Sequence, residues 1–278
     1  AIEQAIELNG VAVAANKQAF RVGRMLVADP TWEPVQALAR VGAQTVAPVL
    51  TPAAQTLVDS VGVDGELHRL LTIRVPELIA YQNEAYARDY VAWIKRVYEA
   101  EQWAVEGETR LSEAVARYLF KLMAYKDEYE VARLHLQPEF AAALAAQFGA
   151  GVSVTYKLHP PFLRALGMKK KLSLGAWFTP FLRLLAGLRR LRGTPLDLFG
   201  YAAVRRVERE LIAEYRGLLE QLVLDLTPET YETAVSLATL PDMIRGYEQI
   251  KLDNVARFRQ EVARVREETA VVVEKSGD

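Results

Sequence analysis

No cysteine occurs in these 278 residues, and that one absence excludes two kinds of chemistry. The chain forms no disulfide framework and supplies no thiolate to an iron–sulfur cluster or a zinc centre. A cysteine-free chain also fits a reducing, cytoplasmic setting. No run of about 18 apolar residues is present, so the sequence predicts no membrane-spanning helix. Histidine is scarce. His68, His135 and His159 are the only imidazoles, and their spacing fits no metal-binding motif. His135 falls at the end of a helical stretch, where a positive group favours the dipole, and so has a structural reason for its place. Acid is missing locally. From Phe140 to Leu196 there is no Asp or Glu, while the same stretch carries nine cations: Lys157, Arg164, Lys169, Lys170, Lys171, Arg183, Arg189, Arg190 and Arg192. Because the whole chain carries −1, the remainder sums to −1 − 9 = −10.

What is present is a globular composition, 51% hydrophobic and 25% charged, enough for a substantial core in one large or two ordinary domains. The first 28 residues read as helix broken at Asn9-Gly10, with Ile2, Ile6, Val11 and Ala15 on an apolar stripe. Asp29-Pro30 stops that helix, and Pro34, Pro48 and Pro52 leave room for no long helix among them. Residues 29–75 are therefore expected to be a Pro-rich wrapping connector with a short helix, closing near Gly62 and Gly65. Helix is expected to dominate from Pro76, read as a first-turn proline, with Ile79, Tyr86, Tyr90, Trp93 and Val97 on one stripe. Ser112 is the expected N-cap of the next helix. In it Val115, Tyr118, Leu122, Tyr125, Tyr129 and Ala132 share a buried face, and Glu113–Arg117 and Lys126–Glu130 pair on the other side. Asp127, Glu128 and Glu130 accordingly read as solvated charge. Val152, Val154 and Tyr156 alternate with polar residues, and Lys171 to Leu174 supplies a partner, which predicts a small β ribbon near 151–175. Helix returns with Val204, Val207, Leu211, Tyr215, Leu218 and Leu222. It restarts at Thr227-Pro228, read as N-cap and N1, and again beyond Pro241 before the pattern fades near Glu268.

Several words carry more than periodicity. YQNEAYARDY (81–90), YLFKLMAYKDEYEVARL (118–134), KLHPPFLRALG (157–167), LRGTPLDLFGY (191–201) and ERELIAEY (208–215) occur in this order. The chain resembles, on these words, the C-terminal region of the large fused indolepyruvate:ferredoxin oxidoreductases. AIELNGVAVAANKQAFRVGR (5–24) is similar to the last helices of that family's gamma-type catalytic domain. The resemblance implies a mainly α chain: residues 1–28 as the tail of the catalytic domain, the connector, and residues 76–278 as a helical C-terminal domain with the ribbon. It implies a parent enzyme that uses thiamine diphosphate, Mg²⁺ and 4Fe–4S clusters. That enzyme decarboxylates a 2-oxo acid oxidatively, passes electrons to ferredoxin and leaves the acyl group on coenzyme A. The opening Ala1-Ile2-Glu3-Gln4, without Met, reads as an element entered midway.

None of the working parts of that reaction is legible here. There are no thiolates for a cluster, the only Gly-Asp pair is Gly277-Asp278, and the lone Gly149-x-Gly151 reads as a turn before the ribbon. No catalytic, cofactor-binding or metal-ligating residue is assigned to this chain. The expected role is structural or interactive within the parent, alongside its remaining domains, in a homo-oligomer and near ferredoxin. A stand-alone helical interaction module is the alternative. The acid-free segment is the one candidate surface, formed by Lys169, Lys170, Lys171, Arg183, Arg189, Arg190 and Arg192. Three readings stay open for it: cations answered by solvent or by the protein's own acids, a docking face for an acidic partner such as ferredoxin or the phosphates of coenzyme A, and nucleic acid, the least favoured. Trp177, Phe178 and Phe181 interleave with these cations, but at helical spacing they read as core.

Overall fold

A computed structural model describes residues 2–9, 13–29, 50–149, 154–158, 172–246 and 248–276. The chain divides into two compact units, Ala1–Pro48 and Val49–Asp278, and the fold is mainly α. The first unit holds α1 (Ile2–Asn9) and α2 (Val13–Ala28). These two helices are tied by a two-pronged Arg21–Glu3 pair, at 2.9 and 2.7 Å, and by Lys17–Glu7. Of the predicted stripe, Ile2 is exposed and Ile6 half-buried, while Val11 and the Ala15 side chain lie outside the described residues.

The second unit begins earlier than the prolines suggest. Thr51 caps α3 (Pro52–Asp59) by accepting from the Ala54 amide at 3.3 Å, with Pro52 in the first turn. α4 then runs Gly65–Tyr81 straight through Pro76. The expected connector over 29–75 therefore needs correction. From residue 52 it is helical core, contributing Ala54, Leu57, Val58, Leu67, Leu71 and Val75, and Pro76 sits well inside a helix. Proline forfeits one helical hydrogen bond, which burial of Leu78 and Tyr81 beyond it offsets. The stretch from 30 to 49 lies outside the described residues.

α5 (Glu84–Ala104) starts on Asn83, whose side chain accepts from the Tyr86 amide at 2.9 Å. It buries Tyr90, Ile94 and Val97 with Tyr86 and Trp93 at the core's margin, but the expected stripe is split: Ile79 lies on α4, and the chain breaks at Gln82-Asn83 before α5 begins. α6 (Arg110–Met123) follows, and it is enclosed. α4, α5, α10 (Ala203–Leu224) and α11 (Tyr231–Thr239) all pack on it. Its start corrects the expected Ser112 cap: Ser112 lies inside the first turn, and the cap comes from another helix. The fully buried Glu101 of α5 accepts from the amides of Leu111 and Ser112 at 2.8 and 2.9 Å, from the Ser112 hydroxyl, and from the Tyr231 hydroxyl at 2.7 Å. A carboxylate at a helix N-terminus faces unpaired amides and the positive end of the dipole, which is why burial without a cation is tolerated there.

Tyrosines serve the opposite need, that of carbonyls. Tyr90 donates to the Ala116 carbonyl at 2.8 Å, Tyr86 to Met123 at 2.9 Å, Tyr81 to Tyr125 at 3.0 Å and Tyr215 to Ala238 at 2.7 Å. Two of those four carbonyls, Met123 and Tyr125, lie at or just beyond the end of α6, where no helical donor is available.

α7 (Glu128–His135) and α8 (Pro138–Phe148) complete the middle of the chain, and Gly149, at φ 90°, ends α8. His135 lies at the end of α7 with Nδ1 2.7 Å from the Val131 carbonyl, and its ring stands edge-on to Phe140. A ribbon is present within the expected span but starts later than the alternation of Val152, Val154 and Tyr156: β1 (Tyr156–Leu158) pairs antiparallel with β2 (Leu172–Leu174), Lys157 opposite Ser173, Val154 precedes the strand, and Val152 lies outside the described residues. A 3₁₀ turn (Ala176–Phe178) leads into α9 (Thr179–Gly187) and a second one (Leu188–Leu191) leaves it. The restart expected at Thr227-Pro228 comes three residues later. Thr227 and Thr230 build a turn, and α11 begins at Tyr231. α12 (Glu248–Ser276) buries Val255 and Phe258 and continues past the point where its apolar pattern ends.

Replacing Glu101 with Ala would leave two amides and two hydroxyls facing an empty apolar site. The expected loss is about 3 kcal/mol or more, with Glu101→Gln losing less, read as urea midpoints. A Glu101→Ala midpoint equal to the parent's would remove the cap assigned here.

Candidate functional site

The continuous helix expected from residue 113 to 132 is two helices. α6 ends at Met123, and Asp127 starts α7 by accepting from the Glu130 amide at 2.8 Å. The reason is Arg192, delivered from the turn that follows α9. Arg192 donates from Nε to Asp127 Oδ2 at 2.5 Å, from Nη2 to Oδ1 at 2.8 Å and from Nη1 to the Tyr81 carbonyl at 2.6 Å. Its guanidinium lies 3.6 Å from the centre of the Tyr81 ring. Both charged side chains are buried. Burial opposes the Arg192 charge, but the hydrogen bonds to Asp127 and the neighbouring Tyr81 leave its pKa raised.

The same turn plugs in a second charge. Buried Asp197 accepts from the amides of Gly193 at 2.9 Å and Gly200 at 3.0 Å, and from the Tyr129 hydroxyl at 3.1 Å. Gly193 adopts φ 76°, open to glycine at little cost. At Gly200 a Cβ would sit 2.5 Å from Asp197 and 2.7 Å from Arg209, so nothing larger fits. Arg209 donates to the Gly200 carbonyl at 2.7 Å and closes one side of a shallow depression of about 210 Å³, lined also by Thr194, Pro195 and Tyr201. Next to the pair, Arg205 donates to buried Glu208 at 2.7 Å and lies 3.4 Å from Glu128, whose pKa burial raises against the Arg205 charge. Lys251 of α12 also reaches Glu208. Arg133 grips Glu130 through two bonds and Glu77 of α4 at 2.7 Å.

Three carboxylates read from sequence as solvated are therefore corrected. Asp127 and Glu130 are buried, and Glu128 is largely so. Glu130 takes Arg133 as partner rather than Lys126, whereas Glu113–Arg117 forms as expected at 3.0 Å. The candidate docking set also divides. Lys169, Lys170 and Lys171 lie outside the described residues. Arg183 and Arg190 are exposed, and Arg189 is half-buried with one nitrogen on the Ala186 carbonyl at 3.1 Å. Arg192 is withdrawn from any surface, because Asp127 and Tyr81 hold it inside. Trp177 and Phe181, expected in the core, are exposed. His159 lies outside the described residues.

Most acids and bases of this arrangement have fixed partners, while Glu128 Oε2 is buried with Arg205 3.4 Å away and no hydrogen bond. Among the described residues no group of three or more histidine or carboxylate side chains is placed to hold a metal. The dense pairing makes this part of the chain rigid. Words far apart in sequence meet here: Tyr81 and Tyr86, then Asp127 and Tyr129, then Arg192 and Asp197, then Glu208. Residues 67–264 match a family of unknown function, DUF6537, and the chain belongs to that family. No curated protein and no solved structure matches it.

The buried pair makes a coupled prediction. Arg192→Met leaves Asp127 buried and unpaired, and Asp127→Leu does the reverse. Each is expected to cost about 3–5 kcal/mol, while the double variant recovers at least about 2 kcal/mol of the sum. Strictly additive urea midpoints would mean that the two side chains do not act as a pair. A second prediction concerns base. Burial raises the phenols of Tyr81, Tyr90, Tyr129 and Tyr215 above the ordinary 10.0, and that of Tyr125 to about 12. A folded pKa above the unfolded one gives stability that is complete below pH 10 and is lost as pH rises from there toward 12. Tyrosinate absorbance from these residues should therefore appear together with loss of helical circular dichroism. Titration of most of the 12 tyrosines before any helix is lost would contradict it.

Proposed function

We propose that this chain is the helical C-terminal region of an enzyme resembling the indolepyruvate:ferredoxin oxidoreductases, and that its role there is architectural rather than catalytic. The observation that supports the reading is that four of the resembling words, 81–90, 118–134, 191–201 and 208–215, meet in one buried charge cluster. A guanidinium and a carboxylate withdrawn from water tolerate little change in partners or geometry. A chain that shares Tyr81, Asp127, Arg192 and Asp197 in their separate contexts thus shares the constraint that binds them. The parent reaction, oxidative decarboxylation of a 2-oxo acid to acyl-coenzyme A with electrons passed to ferredoxin, draws on thiamine diphosphate, Mg²⁺ and 4Fe–4S clusters. This chain's residues do not fit those groups. It has no cysteine, and its buried carboxylates are taken by arginines, amides and tyrosines. The groups belong to other parts of the polypeptide, and the helical unit contributes a rigid body against which those parts and neighbouring subunits are held.

The native polypeptide, purified from its source with an antibody against this chain, tests the reading directly. The expected product is a much larger chain containing iron and thiamine diphosphate, which reduces a viologen dye when given indolepyruvate and coenzyme A. Arg192→Met in that polypeptide should lower the yield of assembled enzyme while leaving turnover per iron-loaded enzyme unchanged. A native polypeptide of about this length with neither iron nor thiamine diphosphate would overturn the proposal and leave the stand-alone helical module in its place.

A further inference from the structure

Three carboxylates meet three cations around the start of α7: Asp127, Glu128 and Glu208 with Arg192, Arg205 and Lys251. The bonds among them are unevenly shared. Asp127 takes two from Arg192. Glu208 takes Arg205 on one oxygen at 2.7 Å and Lys251 on the other. Glu128 is left over. Its Oε2 is buried and has no hydrogen-bond partner among the described residues, and Arg205 stands 3.4 Å from it while bonded to Glu208.

The other charged groups nearby do not relieve that oxygen. On α7 itself, Glu130 and Arg133 hold one another. α9 and the 3₁₀ turn after it pack on α7. They carry Arg183 and Arg190, both exposed, and Arg189, which bonds back to the Ala186 carbonyl. On α10, Arg206 is exposed and Arg209 is held by the Gly200 carbonyl. The Tyr125 ring, 6.0 Å from the Arg205 guanidinium, carries a phenol pushed by burial to about 12. Burial therefore acts differently on the two partners. At Arg205 it opposes the charge but is outweighed by Glu128 and Glu208. At Glu128 burial is the largest influence, and the Asp127 carboxylate adds to it. Together they outweigh Arg205 and the backbone amide, so the carboxyl lies above the ordinary 4.5.

A buried carboxylate oxygen without a donor is relieved by taking up a proton. We infer that Glu128 is a proton-operated joint between α7 and α10. Protonated, it leaves Arg205 wholly to Glu208, and the joint closes around a neutral group. Ionised, it competes with Glu208 for one guanidinium, and the joint loosens. Lys251 ties Glu208 to α12, and Asp127 ties the same end of α7 to the Arg192 turn, so the exchange reaches both. Because the fold favours the neutral form, the stability that Glu128 contributes is complete below about pH 4.5 and is lost as pH rises through its folded pKa. Glu66 and Asp242, whose pKa values are lowered, act in the opposite sense and lose their contribution on acidification. The joint belongs to the helical unit alone and does not depend on the parent enzyme proposed above.

The test compares the 278-residue chain with Glu128→Gln, which mimics the protonated side chain, in urea from about pH 7 down to about pH 4.5. Glu128→Gln is expected to have the higher midpoint at about pH 7, with the gap to the parent closing as pH falls. A lower midpoint would make Glu128 an ordinary stabilising partner of Arg205 and overturn the inference. So would equal midpoints throughout, or a gap that does not change with pH. Carbon NMR of the parent chain, with its glutamate carboxyls labelled, reads the joint without unfolding it. The signal missing from Glu128→Gln is expected to titrate above 4.5. The Arg205 Nε–H signal, identified by its loss in Arg205→Lys, is expected to shift over the same pH range. Titration of Glu128 at or below 4.5, or an Arg205 signal that does not move with it, also overturns the inference.

Discussion

One guanidinium dictates the path of the chain through the middle of this protein. Stripping Arg192 of water costs several kcal/mol, and the fold answers it from every side: two bonds from Asp127, one from the Tyr81 carbonyl, and the Tyr81 ring beneath its plane. Each partner is constrained in return. Asp127 meets the arginine from an N-cap position, so the helical run that begins at Arg110 breaks before it and restarts as α7. Tyr81 offers its carbonyl only at the end of α4, where no helical amide competes for it. The turn carrying Arg192 folds back on itself and is fixed there by Asp197 accepting two of its own amides. Replacing such a pair by apolar residues is often neutral for stability. Its contribution is therefore to selection among arrangements: a register that leaves either charge unmatched is strongly disfavoured.

Around that pair the polar interior serves helix ends. Glu101 satisfies the first amides of α6, tyrosines satisfy carbonyls along and beyond its last turn, and Asp127 satisfies the start of α7. Asp127 is local to α7, but the groups at α6 come from other helices, so the ends of α6 are completed only when those helices have docked. The tyrosine-rich wording of residues 81–90 is explained by this. A phenol brings a large apolar ring for packing together with one donor long enough to reach a carbonyl across the helix interface. Phenylalanine at those positions would fill the same space and remove that donor, leaving the Met123 carbonyl unmatched and the Ala116 and Tyr125 carbonyls with one partner fewer.

The stripes of α5, α6 and α10 were legible because periodicity reports a helix's own buried face, and Tyr90, Val97, Val115, Leu211 and Tyr215 lie where it puts them. The ribbon was legible from alternation. The break at residues 124–127 was not, since Tyr125, Tyr129 and Ala132 keep helical spacing across it and stay buried in both descriptions. Asp127, Glu128 and Glu130 were misplaced for a related reason. A carboxylate among other charges reads as solvated when what buries it is remote: the partner of Asp127 is 65 residues on, and Glu130 is buried with Arg133, three residues away, which also reaches Glu77 of α4. Pro76 misled in the other direction: a proline marks a helix start only where burial does not carry the helix through it, and Leu71, Val75 and Leu78 do.

The acid-free segment shows why charge counted along a sequence is a poor guide to a surface. Its cations divide by what the fold does with them. Arg192 is spent inside on Asp127, and Arg189 turns one nitrogen back to the last turn of α9, leaving Arg183 and Arg190 of the described residues to act outward. Two arginines at physiological ionic strength, where screening sets in within about 8 Å, give little long-range field. Exposed apolar side chains accompany them: Phe181 and Leu184 on α9, and Trp177 and Leu188 in the 3₁₀ turns on either side of it, while Leu182 of α9 is buried. The lack of acid from Phe140 to Leu196 is therefore no measure of surface charge, because the fold withdraws Arg192 to Asp127 and turns Arg189 back on the end of α9.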